Sequence, residues 1–386
     1  MRTGRIWRWL IFVLLAIATV ESSAALICRF VLAPLHPIRL IWNPDLEQAR
    51  DNWNALSAAA DDEIGGYRVS GAKHNSEFPN SGQSCGSAYG DSYVGGAEVA
   101  NDEGWVEQLS HLLGCRVTNY AVGNYGTDQA YLRFRQVHDD SPIALLGINP
   151  NNVEDNVSQY DGLLGSALEP TSLKGRFLLD GFDHLKWVPR PRLDLDGFVA
   201  MNRNPAETLP HSYFLPDTRD GPVTLGFPYT VTLARAALMP RLHNLLVRRA
   251  EWSGLYSADH PSGALQLMVA ICQAFAESAT ARGERPLIIM LPLAHSFREQ
   301  ANYGRFEYAP LVAALQAKGI EIFDPGTAMI DSLAGRSVCE FFTQAHPEMA
   351  WLTSPAPCGG HYSTAGNTTM SQLVAAELRR RNFISR

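Results

Sequence analysis

Pro286-Leu-Ile-Ile-Met-Leu-Pro292 is an apolar run with a proline at each end. Its length suits a strand, and the lack of polar alternation implies burial on both faces, as in a parallel sheet covered by helices. Just before it, Gly263 to Arg282 sets Leu265, Leu267, Met268, Ile271, Cys272 and Phe275 on one side of a helix. Just after it, Tyr308 to Lys318 reads as a helix stopped by Gly319, and Ile320-Glu-Ile-Phe-Asp324 as a strand. A second apolar run, Pro142-Ile-Ala-Leu-Leu-Gly-Ile148, has the same character. Upstream of it lie a helix over Asp128 to Val137, a β-rich run over Cys115 to Val122, and a helix over Trp105 to Leu113 with Gly114 as its stop. The first strong strand ends at Ser87-Ala88-Tyr89, and Ala365 to Arg381 closes the chain as a helix. This alternation predicts an α/β fold with a doubly wound, mostly parallel sheet of about five strands, a flavodoxin-like α/β/α sandwich. Residues 163–260 carry nine prolines and no clear period, and are expected to form a long irregular insertion over the sheet and no second core. The expected division is 1–33 as a membrane or export segment, 34–80 as an N-terminal arm with a helix near Leu46 to Ala60, and 81–386 as the main domain.

Composition narrows the function. Of 386 residues 46% are apolar and 18% charged, which excludes disorder for most of the chain. Lysine and arginine less acids give 32 − 39 = −7, with no basic cluster in the body of the chain, so nucleic acid is not an expected partner. Six cysteines include no CxxC pair, and no two of the eleven histidines lie within five residues of each other. A metal site of the usual spacings is therefore not expected.

The start of the chain points to a membrane. Arg2, Arg5 and Arg8 precede the apolar run Trp9 to Val20, and apolar character resumes at Ala25-Leu-Ile-Cys28. Trp9 to Cys28 is about the 20 residues a span needs. One reading is an uncleaved anchor; the other is a signal peptide cut near Ala24, after the small residues Ser22-Ser23-Ala24. Both leave the arginines inside and send the body of the chain across, so an extracytoplasmic, membrane-anchored or periplasmic location is expected.

In such a sheet, ligands sit beyond the carboxyl ends of the strands. After the first strand stands Gly90-Asp91-Ser92, whose serine offers a hydroxyl and its own N–H to a cleft. Gly90 and Gly95 have a P-loop spacing, but Gly96-Ala97 replaces the Lys-Ser/Thr that phosphate binding needs. After the second strand comes Gly123-Asn124-Tyr-Gly126-Thr-Asp128, and after the third Asn149-Pro150-Asn151-Asn152. Near the end, Gly359-Gly360-His361-Tyr362-Ser363 leads into the last helix. Each signal alone is weak, since a Gly-Asp-Ser is most often a turn and a lone histidine most often structural.

Together and in this order, they resemble the SGNH (GDSL-type) hydrolase superfamily over about Gly82 to Asn156 and Arg285 to Met370. The resemblance implies Ser92 as nucleophile, with Gly90 and Asp91 shaping its turn, and His361 as general base. It implies an oxyanion site from the N–H groups of Ser92 and Asn124 and the amide of Asn151, with Asn149 as the alternative to Asn151. Three positions depart from the pattern. Asn124 stands for a glycine, though asparagine tolerates a left-handed backbone. Asn151-Asn152 stands for Asn-Asp. Cys358 stands where an aspartate should orient His361. Either His361 works in a dyad or a carboxylate comes from elsewhere, with Asp324, at the end of the last strand, as the candidate. Cys85 and Cys115, near the starts of neighbouring strands, are placed to pair, and Cys339 with Cys358 is a second candidate pair, with free thiols as the equal alternative for each.

The implied chemistry is acyl transfer through an acyl-serine. Three outcomes share these residues: an esterase on a small-molecule or envelope-glycan ester, an O-acyltransferase of envelope glycans, and a catalytically silent carbohydrate-binding relative.

Overall fold

The computed structural model describes residues 2–34, 39–58, 64, 84–164, 173–181, 183–344 and 358–384. The expected arm beyond Ala58, apart from Ile64, lies outside the described residues. The chain divides into two compact units: Met1–Ala58, Tyr160–Ser172 and Pro191–Val247 form one, and Ala59–Gln159, Leu173–Arg190 and Arg248–Arg386 the other.

In the second unit, strands β1 (Ser84–Tyr89), β2 (Arg116–Asn119), β3 (Ile143–Ile148), β4 (Arg285–Met290) and β5 (Ile322–Phe323) form one sheet in the order β2-β1-β3-β4-β5. Every neighbouring pair is parallel. This is the doubly wound arrangement expected, and its strand order reverses beside β1, where such sheets bind ligands. The apolar runs at 142–148 and 286–292 occupy the middle because only central strands are covered on both faces; every residue of β3 is buried. The helix Ala264–Ala281 packs on Thr127–Gln136 and β4, and Thr364–Arg380 packs on Trp105–Leu113. Tyr89, Phe134 and Phe275 lock strand to helices, with ring centroids 5.2 Å apart for Tyr89–Phe134 and 4.8 Å for Phe134–Phe275, both edge-on.

One buried ion pair steadies the loop after β2. Lys174 Nζ lies 2.5 Å from Asp128 Oδ2, with side chains 1% and 0% exposed. Asp128 sits in the first turn of the Thr127–Gln136 helix, where its other oxygen accepts from the Gln129 N–H, 2.8 Å away. Removing one partner would strand a dry charge, so Lys174→Met is expected to cost about 3–5 kcal/mol. Replacing both partners by apolar residues should recover most of that loss. Thermal melting of both variants checks the pair; equal melting of wild type and Lys174→Met would refute it.

In the first unit, the region read from its prolines as irregular carries helices: Leu195–Arg203, Pro205–Thr208, Tyr229–Ala237 and Pro240–Leu246. The prolines misled because several of them open helices. Pro205 and Pro240 stand in the first turns and Pro228 at an N-cap, where no helical N–H is lost. Cys28, Leu40, Ile41, Val223, Ala236 and Met239 form a buried cluster in this unit, and Ile41–Trp42 pairs in parallel with Val223–Thr224. The N-terminal helix runs Arg2–Ile27 and continues in a π-helical turn, Cys28–Leu32. Within it, Arg5–Leu32 spans 28 residues, long and apolar enough to cross a membrane.

Candidate active site

Backbone geometry at the end of β1 places Ser92, half-buried, at the carboxyl edge of the sheet. Ser92 begins a single helical turn, Ser92–Gly95, capped by Asp91, whose side chain accepts from the Tyr93 N–H at 2.9 Å. The turn lies directly over β3. A Cβ on Gly90 would stand 2.3 Å from Val94 Cγ2 and 2.7 Å from the Gly147 carbonyl, and one on Gly147 would also meet Val94 Cγ2 at 2.3 Å. Both glycines are thus required for Val94 to sit under the serine. Gly90→Ala is expected to cost about 1–3 kcal/mol by overpacking and to lower any activity of Ser92. An unshifted melting temperature would contradict this.

Asp91 is itself clamped. Asn149 Nδ2 donates to its Oδ2 at very short range, and Asn152 Nδ2 donates to the same oxygen at 3.2 Å. Burial pushes the Asp91 carboxyl above its ordinary range, opposed by the Tyr93 N–H and the Asn152 amide. The asparagines of 149–152 therefore divide their work. Asn149 and Asn152 hold the serine turn, whereas Asn151 is half-buried and holds its side-chain Oδ1 enclosed, with no partner among the described residues.

The loop after β2 closes on the same place. The Tyr120 and Val122 N–H groups donate to the Ala88 and Gly90 carbonyls at 2.8 and 3.1 Å. A Cβ built on Gly123 would lie 4.0 Å from Ser92 Cβ. Asn124 has φ +61°, the left-handed conformation that asparagine accepts best after glycine. Among the described residues, the N–H groups of Ser92 and Asn124 find no acceptor.

His361 arrives on a hairpin of β6 (Phe342–Gln344) and β7 (Cys358–Tyr362), paired antiparallel. Tyr362 Oη donates to the Pro292 carbonyl at 2.9 Å, tying the hairpin to the end of β4. Tyr93 backs the imidazole, with ring centroids 4.8 Å apart, and its hydroxyl donates to the Gly360 carbonyl at 3.0 Å. His361 Nε2 and Ser92 Oγ are 2.8 Å apart. The sequence-distant pair is thus in hydrogen-bond contact.

The carboxylate on His361 is one that the sequence reading missed. Glu98 Oε1 lies 2.8 Å from His361 Nδ1, and Glu98 Oε2 accepts from the His361 N–H at 3.2 Å and from Thr343 Oγ1. Burial would raise the Glu98 carboxyl, but the bonds from Thr343 and His361 outweigh it and hold it below the usual range. An ionised carboxylate can only accept, so the imidazole proton sits on Nδ1, and Nε2 is left to accept from the Ser92 hydroxyl. Glu98 adopts φ +67°, a conformation a glutamate takes only when its surroundings hold it there.

Two expectations are therefore corrected. His361 does not lack a carboxylate, and the carboxylate is not Asp324. Asp324 accepts instead from Tyr308 Oη at 3.0 Å and from the Gly326 N–H at 2.9 Å. Glu98 was missed because it lies 263 residues from His361. Its one sequence signal is its place just after Gly95-Gly96, beyond the serine turn. Cys358 is disulfide-bonded to Cys339, and Cys85 to Cys115, so both expected pairs are formed. The Cys339–Cys358 bond fastens the start of β7 to the turn Val338–Phe341.

No family model and no curated protein matches the chain. Solved structures similar to it include a protein described as lipolytic, of the G-D-S-L family, from Desulfitobacterium hafniense DCB-2. That match has a TM-score of 0.36, 11% identity, and covers 75% of this chain and 97% of that one. TesA matches with a TM-score of 0.35 and 11% identity, covering 76% of this chain and 97% of its own.

Proposed function

We propose that the chain is a serine hydrolase of carboxylic esters, with Ser92 as nucleophile, His361 as general base and Glu98 as the group that orients and charges the base. The observation that carries this is the unbroken contact Ser92 Oγ–His361 Nε2–Glu98 Oε1, 2.8 Å at each step, at the carboxyl edge of a parallel sheet. His361 takes the hydroxyl proton as Ser92 Oγ bonds to the ester carbonyl carbon. The negative charge then on the carbonyl oxygen faces the Ser92 and Asn124 N–H groups and the Asn151 amide. As the intermediate collapses, the alcohol leaves with the proton from His361, and water removes the acyl group by the same steps. Each oxyanion donor is expected to be worth about 10²–10³ in turnover. No step calls for a metal or organic cofactor. Two observations favour this reading over a catalytically silent relative. Glu98 supplies the carboxylate that Cys358 lacks, and Asn124 already has the backbone of the glycine it replaces.

The test is a panel of p-nitrophenyl esters from acetate to octanoate, run beside a serine-directed fluorophosphonate. Hydrolysis together with a label on Ser92 is expected; no turnover on any ester and no label would overturn the reading.

The N-terminal helix is the membrane anchor in this proposal, with Arg2, Arg5 and Arg8 on the cytoplasmic side. Ile6, Trp9, Phe12, Leu14, Leu15 and Ile17 are all exposed, as side chains facing lipid would be. Glu21 favours an anchor over a cleaved signal. Its carboxylate accepts from the N–H groups of Tyr229 and Thr230 and from Thr230 Oγ1, bonds that a cut at Ala24 would discard.

A further inference from the structure

A carboxylate inside a membrane-spanning run needs a partner at its own depth. Between Arg8 and Arg29 lie the residues 9–28, about 30 Å of helix at 1.5 Å each, the thickness of the hydrocarbon. Glu21, seven residues before Cys28, then stands about 10 Å below the outer boundary. Its partners come from the start of the helix Tyr229–Ala237: the Tyr229 N–H donates to it at 2.6 Å and the Thr230 N–H at 3.4 Å. The same Tyr229 offers its carbonyl to Cys28 Sγ at 3.9 Å, one level further out. Ala24 and Cys28, on the same stripe as Glu21, are covered, at 3% and 0% exposed. The start of this second helix is therefore held between the levels of Glu21 and Cys28.

Its outer face matches that depth. Phe227, Val231 and Leu238 are 76%, 51% and 83% exposed, and Ala234, also exposed, completes the stripe. Val231, Ala234 and the C-cap residue Leu238 recur at helical spacing on one side, and Phe227 stands just before the N-cap Pro228. The opposite side, with Thr232, Ala236 and Met239, is buried in the unit's own core. The following helix adds Leu246, 73% exposed. A solvated helix would carry its polar residues where this one carries its apolar ones. The single basic residue of the face, Arg235, is paired with Asp217 at 2.9 Å and has a stem long enough to reach the headgroups.

We propose that the helix Tyr229–Ala237 lies in the outer leaflet beside the N-terminal helix, with Phe227, Val231, Ala234 and Leu238 in contact with lipid acyl chains. This rests on the reading of the N-terminal helix as an anchor. The unit is then held by two elements, one spanning and one interfacial, and Glu21 joins them. Burial of about 5–10 Å is the depth at which interfacial helices sit.

The full chain, reconstituted in phosphatidylcholine vesicles, would carry a photo-reactive diazirine residue at one position at a time. The positions are Leu14 in the anchor, Val231 and Leu238 on the stripe, and Asp196 as an exposed polar reference. Lipid adducts at Val231 and Leu238 are expected within about threefold of Leu14 and about tenfold above Asp196. Adducts at Leu14 with none above reference at Val231 and Leu238 would put this helix in water and overturn the proposal while the anchor stands. No adducts at Leu14 would overturn both. Adducts at Val231 and Leu238 with protein in place of lipid would make the stripe a protein contact and overturn the proposal as well.

Discussion

Ser92→Ala is expected to abolish ester hydrolysis, lowering turnover by about 10⁶, the loss seen when the nucleophile of a serine triad is removed. The fold should not change, since Ser92 only opens a four-residue helical turn whose cap is the Asp91 side chain. Asp91 keeps its bonds to Tyr93, Asn149 and Asn152 in the variant. The melting temperature is accordingly expected to stay put, and fluorophosphonate labelling to vanish. A variant that keeps more than a few per cent of turnover at an unchanged melting temperature would remove Ser92 from the reaction.

The second large effect belongs to Glu98→Gln. The substitution keeps the shape but loses the charge, and a side-chain amide can place its NH₂ group against Nδ1, which favours the wrong imidazole tautomer. Loss of the equivalent carboxylate in a serine triad lowers turnover about 10⁴-fold, and a drop of that order is expected here. Asp324→Asn should leave turnover within about tenfold, because Asp324 is spent on Tyr308 and Gly326. The two variants together decide the matter: equal, small effects would return His361 to a dyad. The pH dependence follows from the lowered carboxyl of Glu98. A group whose folded pKa lies below its unfolded one contributes fully above the unfolded value. That contribution is lost only as pH falls through the folded one. The Glu98–His361 contact should therefore persist through the ordinary carboxylate range and fail only in stronger acid. Loss of the contact near the unperturbed carboxylate value, followed by the imidazole proton resonances, would contradict it.

The central strands and the helices packed on them were legible because their signals are local. A continuous apolar run such as 286–292 can only be buried on both faces, and the spacing of Leu265, Met268, Cys272 and Phe275 can only make one helix face. The serine turn was legible for a similar reason, since Gly90-Asp91-Ser92 carries its steric needs within three residues. The long apolar N-terminal helix is a local signal too, as a run of apolar residues behind three arginines.

The partner of His361 was decided by tertiary structure. No spacing rule links Glu98 to a histidine 263 residues on; β7 had to pair with β6 before Thr343 and His361 could both reach it. The roles of Asn149, Asn151 and Asn152 also needed three dimensions, because identical side chains in one loop are told apart only by where the Asp91 carboxylate lies. The helices between Leu195 and Leu246 were hidden because proline ends a helix in its interior but begins one at its first turn, and sequence alone does not say which turn it occupies. The covering of Glu21 by Tyr229 and Thr230 joins segments about two hundred residues apart. A carboxylate in an apolar run shows only that a partner is required; the fold supplies the partner, because burial makes an unpaired charge too costly to leave.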